Sequence, residues 1–309
     1  MLPTPTAEGQ GASLTTQSPP TRASSGPLSY NLPTSDGLWV ASDSQIGRKP
    51  SGPATVRIQD VGTFEFDSGL VTTVRPDIFQ SGHYAMFDVL LHLPRQGDIV
   101  LQHHLDQEMD THIVDTINDK PGWWYQTYYA GGWPERNVLP MDMYPYKPST
   151  HLTFYRENES RLAALLQVLR DEAARLKANN GQVILPEVTI RSPAKSWQFR
   201  DVAVRSHHVR PDLFQPGHVT ALDIILSLGE QGHFSKAKLT WYDRIGRADP
   251  VDSFWLEQLD EAIAHGGCGF VYETGPKEFS GFAGSHIHLP MDARLIGSPE
   301  YALWFWICL

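Results

Sequence analysis

The segment HHLDQEMDTHIVD holds His103, His104, Asp106, Glu108, Asp110, His112 and Asp115 within thirteen residues. Imidazole and carboxylate together suit zinc, copper, nickel or iron, and on a strand His104 and Asp106 project to one face. His103, His104, Asp106 and His112 are therefore candidate ligands for a transition metal; a polar hairpin on an exposed sheet has the same composition. His286 and His288 form a second pair, an H-x-H whose imidazoles share a face if the stretch SHIHL is a strand. The other concentration is aromatic: Trp123, Trp124, Tyr125, Tyr128 and Trp133. Rings of this kind stack on sugars, planar cofactors or protein partners; Trp123 and Trp124 cannot both point inward from one strand, so one is expected to be exposed or covered by the other domain, which makes this region the expected binding surface. Cys268 and Cys308 either pair once or stay as buried thiols. For catalysis there is no GxSxG, no HExxH and no Gly-rich phosphate loop. The expected function is non-catalytic.

These residues sit in a chain of 309 residues, long enough for two domains. Its formal charge of −10, with no basic run, disfavours nucleic acid and anionic lipid as partners. No stretch of about 18 apolar residues offers a membrane span. Residues 1–50 contain 26 Ser, Thr, Pro or Gly and six charged residues, the composition of a tether. Such spacers resemble those of exported bacterial proteins, which suggests an extracytoplasmic setting with an N-terminal anchor; a cytosolic tail is the alternative.

Beyond the tether the chain repeats itself. VRPDIFQSGH at 74–83 returns as VRPDLFQPGH at 209–218, and over residues 74–97 against 209–232 thirteen of 24 positions are identical without a gap. The repeated residues Arg75, Pro76, Asp77, Gly82, His83 and Asp88 match Arg210, Pro211, Asp212, Gly217, His218 and Asp223. They read as a strand exit and helix start, with arginine and aspartate paired locally. LPMD at 139–142 returns at 289–292, and its Asp142 and Asp292, each following a proline, read as turn caps rather than as a general acid or base. Because this echo is 150 residues apart and the first is 135, the second copy carries about fifteen extra residues, expected as an inserted helix near 249–265 with Phe254, Trp255, Leu259 and Ile263 on one face. The expected order in each copy is two strands, a helix and further strands, in an α+β fold. The first copy spans 51–156, the second 182–309, and a long amphipathic helix over 157–181 connects them, with an apolar stripe from Leu162 to Leu176. YALWFWICL at 301–309, apolar on both faces, is expected to be covered on both sides.

The helix start PGHVTALDIIL, the GWWY strand after the turn NDKPG, and the last strand after YPYKPST resemble the C-terminal β-grasp domain of transcobalamin and its bacterial single-domain relatives. The resemblance covers most of 54–156 and less of 183–309. It implies two tandem β-grasp domains with a ligand- or partner-binding habit and carries no catalytic residue over. A corrinoid would need a partner to supply the other half of its site. Three function classes follow: a binding or interaction protein, a metal or cofactor carrier using 103–115, and a glycan-active or glycan-binding protein.

Overall fold

The computed structural model describes residues 47–129, 134–245 and 250–308. Residues 1–46 of the expected tether, Trp133 of the expected surface, and the terminal Leu309 lie outside them. Mixed α+β architecture is observed, built of sheets with three α-helices.

In the first half, β1 (Pro53–Ile58) and β2 (Gly62–Asp67) form a hairpin followed by helix α1 (Met86–Gln96). A separate hairpin of β3 (Leu101–Asp106) and β4 (Thr111–Ile117) comes next. Then β5 (Trp123–Tyr129), the short β6 (Glu135–Arg136) and β7 (Thr150–Arg156) complete a sheet of order β2-β1-β7-β5-β6, with β1 and β7 parallel. Helix α2 (Glu159–Ala178) follows, capped by the Asn158 side chain, which accepts from the Ser160 and Arg161 amides.

The second half uses the same pairing. Strands β8 (Val183–Arg191) and β9 (Ser196–Val204) precede helix α3 (Ala221–Glu230). The small sheet of β10 (Ala237–Tyr242), β11 (Ser253–Leu259) and β12 (Ala262–Ile263) follows. Strands β13 (Cys268–Gly275) and β14 (Tyr301–Cys308) then give the order β13-β14-β8-β9, with β14 and β8 parallel. In both halves Asp88 or Asp223 is buried at the helix start and ties it to the preceding chain. Asp88 accepts from the Ala85 and Val74 amides (both 2.8 Å), and Asp223 from those of Thr220 (2.6 Å) and His207 (2.8 Å).

Among the described residues of 249–265 the expected helix is absent. Residues 253–259 are a strand in which Phe254, Leu256 and Leu259 are buried, while Ile263, assigned to the same helical face, is 52% exposed. The apolar spacing that mimics a helix comes from an irregular register at Lys238/Leu239 and the Asp260 turn, where φ is +47°. The fifteen extra residues are distributed over three segments of the sequence. Asp110 follows Arg75 by 35 residues and Asp252 follows Arg210 by 42; Tyr125 follows Thr111 by 14 and Tyr272 follows Ser253 by 19; Leu139 follows Tyr125 by 14 and Leu289 follows Tyr272 by 17.

Cys268 and Cys308 stand opposite each other in the β13–β14 register and are joined by a disulfide across 40 residues of sequence. Closing a loop of this length restricts the unfolded chain, so Cys268→Ser with Cys308→Ser is expected to lower unfolding free energy by about 2–4 kcal/mol. Guanidinium titration of both forms measures it; equal midpoints would refute the assignment.

Candidate functional site: a groove on the second sheet and the seam between the halves

The expected aromatic surface is core. Trp123, Trp124 and Tyr125 are 2%, 3% and 0% exposed. Trp123 donates to Lys120 O and Trp124 Nε1 to Asn137 O at 3.0 Å, while the Tyr125 hydroxyl lies 2.7 Å from both Asn137 Oδ1 and Leu139 O. Two adjacent tryptophans can both be buried because the sheet's second face is covered at that end, where Trp124 shares a cluster with Leu165, Leu169 and, from the second half, Phe279. Tyr128 is half-buried and stacks on His151 at 4.4 Å.

In the histidine-rich hairpin His103 and His112 come together, ring centroids 5.4 Å apart and edge to face, but no third ligand joins them among the described residues. His103 and His112 stack against Phe87, at 5.3 and 5.0 Å, and burial lowers both imidazole pKa values. His104 pairs with Asp115 at 2.9 Å on the exposed face, and Asp106 caps its own turn by accepting from Glu108 and Met109. His286 and His288 lie in a loop, not a strand. Its two 3-10 turns, at Lys277–Phe279 and Gly281–Ala283, break the extended backbone before the pair. His288 pairs with Glu135 of the first half, which raises its pKa. Among the described residues no group of three or more His, Cys, Asp or Glu is placed to hold a metal.

The repeated phrases meet at the centre of the molecule. Phe79 and Phe214 form an antiparallel bridge, with Gln80 N donating to Leu213 O (3.0 Å) and Gln215 N to Ile78 O (2.8 Å). The two glutamine side chains repeat the exchange, each donating to the other half's phenylalanine carbonyl at 3.2 Å. RPDxFQ is therefore the seam joining the halves, in a near two-fold arrangement, as well as a local corner.

The second echo serves the first. Arg75 Nη1 donates to Asp142 at 2.9 Å and Arg210 Nη1 to Asp292 at 3.2 Å, with both aspartates fully buried. These aspartates also anchor the small sheets, since Asp142 accepts from His112 N (3.0 Å) and Asp292 from Phe254 N (2.9 Å). Neither caps a turn in isolation, as the Pro–Met–Asp context suggested. Residues 47–50, assigned to the tether, are a strap over this seam. Gly47 N donates to Asp212 (2.8 Å), Arg48 Nε to Asp252 (2.9 Å) and Lys49 Nζ to Ser81 O (2.7 Å).

Beneath the strap is a small, partly open cavity of about 20 Å³, lined in part by His83, Tyr146, Lys147, Arg210 and Asp252, with room for about one water. Although burial acts to raise Asp212, its hydrogen bond from Arg210 holds it below the usual carboxylate range; burial pushes Asp292 up. Lys147 is half-buried, yet desolvation of its amine, with Arg210 nearby, pushes it down to about 7. Cations and carboxylates alternate around a space too small for a substrate, so the cluster fastens the halves together.

Desolvation also pushes His83 down to about 4. The unfolded imidazole binds its proton near pH 6.5, so His83 contributes stability that is lost as pH falls from 6.5 to 4. Asp88, raised to about 6 by burial, acts in the opposite sense over the same range. Comparing thermal midpoints of the wild type and His83→Asn isolates the histidine: the variant should lose less stability between pH 6.5 and 4.5. Parallel curves would refute it.

The surface that remains is the outer face of the second sheet. On β14, Ala302 and Trp304 point into the core at 1% and 0% exposure, whereas Leu303, Phe305 and Ile307 alternate onto the other side and are half-buried, beside half-buried Val271. The strand's second face is only partly covered, and among the described residues no inserted helix lies over it. An open cleft of about 230 Å³ lies at the Leu303 end, lined by Glu187, Thr189, Arg191, Lys277, Ser280 and Tyr301. The 277–288 loop borders Phe305 through His286, ring centroids 6.1 Å apart, and carries Phe282, 80% exposed and 4.8 Å from the same imidazole. Strict alternation along YALWFWICL was the available signal for this face. No protein-family model, curated protein or solved structure matches the chain.

Proposed function

We propose that the chain is a non-catalytic binding protein of two tandem β-grasp-like repeats that engages a protein partner through the outer face of the second sheet. The carrying observation is a contrast between the halves. In the parallel pairs, Val56 is registered with Leu152 and Val188 with Ala302, which makes Thr153, Tyr155 and Glu157 the counterparts of Leu303, Phe305 and Ile307. The fold tolerates polar groups on this face, so the apolar set answers a demand other than folding. The shared strand order and single helix support the β-grasp reading, and the disulfide supports an extracytoplasmic setting. The GWWY strand behind the transcobalamin resemblance is buried, so that resemblance supports the fold and leaves the ligand to the groove.

A photo-crosslinking residue in place of Phe282 should give partner adducts in extracts of the native source. Leu303→Gln with Phe305→Gln should abolish them while moving unfolding free energy by less than about 1 kcal/mol, as expected away from a core. Persistent adducts, or a loss of several kcal/mol, would sink the proposal.

A further inference from the structure

We infer that the groove takes an apolar segment of a partner protein flanked by aspartate or glutamate, a specification that rests on the groove being the binding surface. Leu303, Phe305 and Ile307 occupy alternate positions of one strand, so the apolar floor runs about 13 Å. Its flank toward β8 and β9 is cationic. The Arg200 and Lys277 side chains are 76% and 59% exposed, and Arg191 is exposed with no described carboxylate as partner. The facing acids are few and engaged. Glu187 is shared between Lys277 (2.9 Å) and Arg200 (3.5 Å), which holds it below the usual range, Lys277 first. Glu300 accepts from the Lys277 amide (2.7 Å), and Glu273 is buried, accepting from the Tyr301 hydroxyl (2.9 Å). A cationic rim on a chain of net charge −10 is a local reversal of sign, and it favours an acidic partner over a second copy presenting the same rim.

The test is selection of displayed 12-residue peptides against the immobilised full chain, with affinities of synthetic winners measured at low and moderate salt. Winners should combine about three apolar residues with at least two acids, lose at least tenfold in affinity on Phe305→Gln, and lose at least fivefold on Arg191→Glu with Arg200→Glu. Replacing the peptide's acids by lysine should restore binding to that double variant, provided both variants keep the wild-type unfolding midpoint. Phe305-dependent winners without acid preference, or indifferent to the charge reversals, would overturn this inference and leave the surface reading standing. Winners indifferent to Phe305 would remove both. Winners resembling Asp36–Asp43 of this chain, bound more tightly after removal of residues 1–46, would replace the partner with the chain's own segment and overturn the inference.

Discussion

Replacing Arg210 with methionine is expected to destabilise the protein by about 3–5 kcal/mol, because it strands buried carboxylates. Asp292 is fully buried and the Asp212 side chain is 6% exposed, and both take their charge-assisted hydrogen bonds from this guanidinium, at 3.2 and 2.8 Å. Methionine can replace some of the packing over the Trp241 ring, where the guanidinium carbon lies 5.1 Å from the centroid, but it neutralises nothing. Denaturant unfolding at pH 7 measures the loss. Exchanging Arg210, Asp212 and Asp292 together for apolar residues of similar volume should cost much less, since no charge is then left unpaired. If Arg210→Met alone costs under about 1 kcal/mol, the guanidinium does not neutralise Asp212 and Asp292 as described.

The second large effect is expected at the seam. Phe79 and Phe214 are 1% and 3% exposed with ring centroids 5.7 Å apart, so either Phe→Ala change should cost about 3–5 kcal/mol. Their coupling in a double-mutant cycle should reach about 0.5–1.5 kcal/mol, the range for an aromatic pair in contact. The cycle discriminates between a seam and two independent corners: strict additivity would mean that each ring serves only its own half.

Sequence conveyed the elements better than their assembly. Leu162, Leu165, Leu166 and Leu169 at helical spacing pointed to the helix observed at Glu159–Ala178, and Asp88 and Asp223 marked two helix starts. Local signals of this kind need no knowledge of neighbours. Trp124 was misread because alternation tells which side of a strand a ring takes, not whether other parts of the fold will be there to cover it. Phe254, Trp255, Leu259 and Ile263 were misread because a strand with a turn at Asp260 can reproduce a period near 3.6 over one short window. The partnership of RPD with LPMD had a signal, since two phrases repeated together are candidates to touch. The duplication of each phrase was visible, but the meeting of Phe79 with Phe214 across the halves was not, because both copies could have closed on themselves.

The seam uses the same phrase from each half, whereas the groove exists in one half only. A homodimer assembled through such a seam would display every feature twice, and any change to one face would appear on both. Joining the halves in one chain fixes their ratio at one to one and releases each outer face to differ, so His151, Thr153 and Tyr155 can stand where Tyr301, Leu303 and Phe305 stand in the other half. On the proposed reading the molecule would be monovalent at this surface: it would occupy a partner without cross-linking two of them, and avidity would require a second chain.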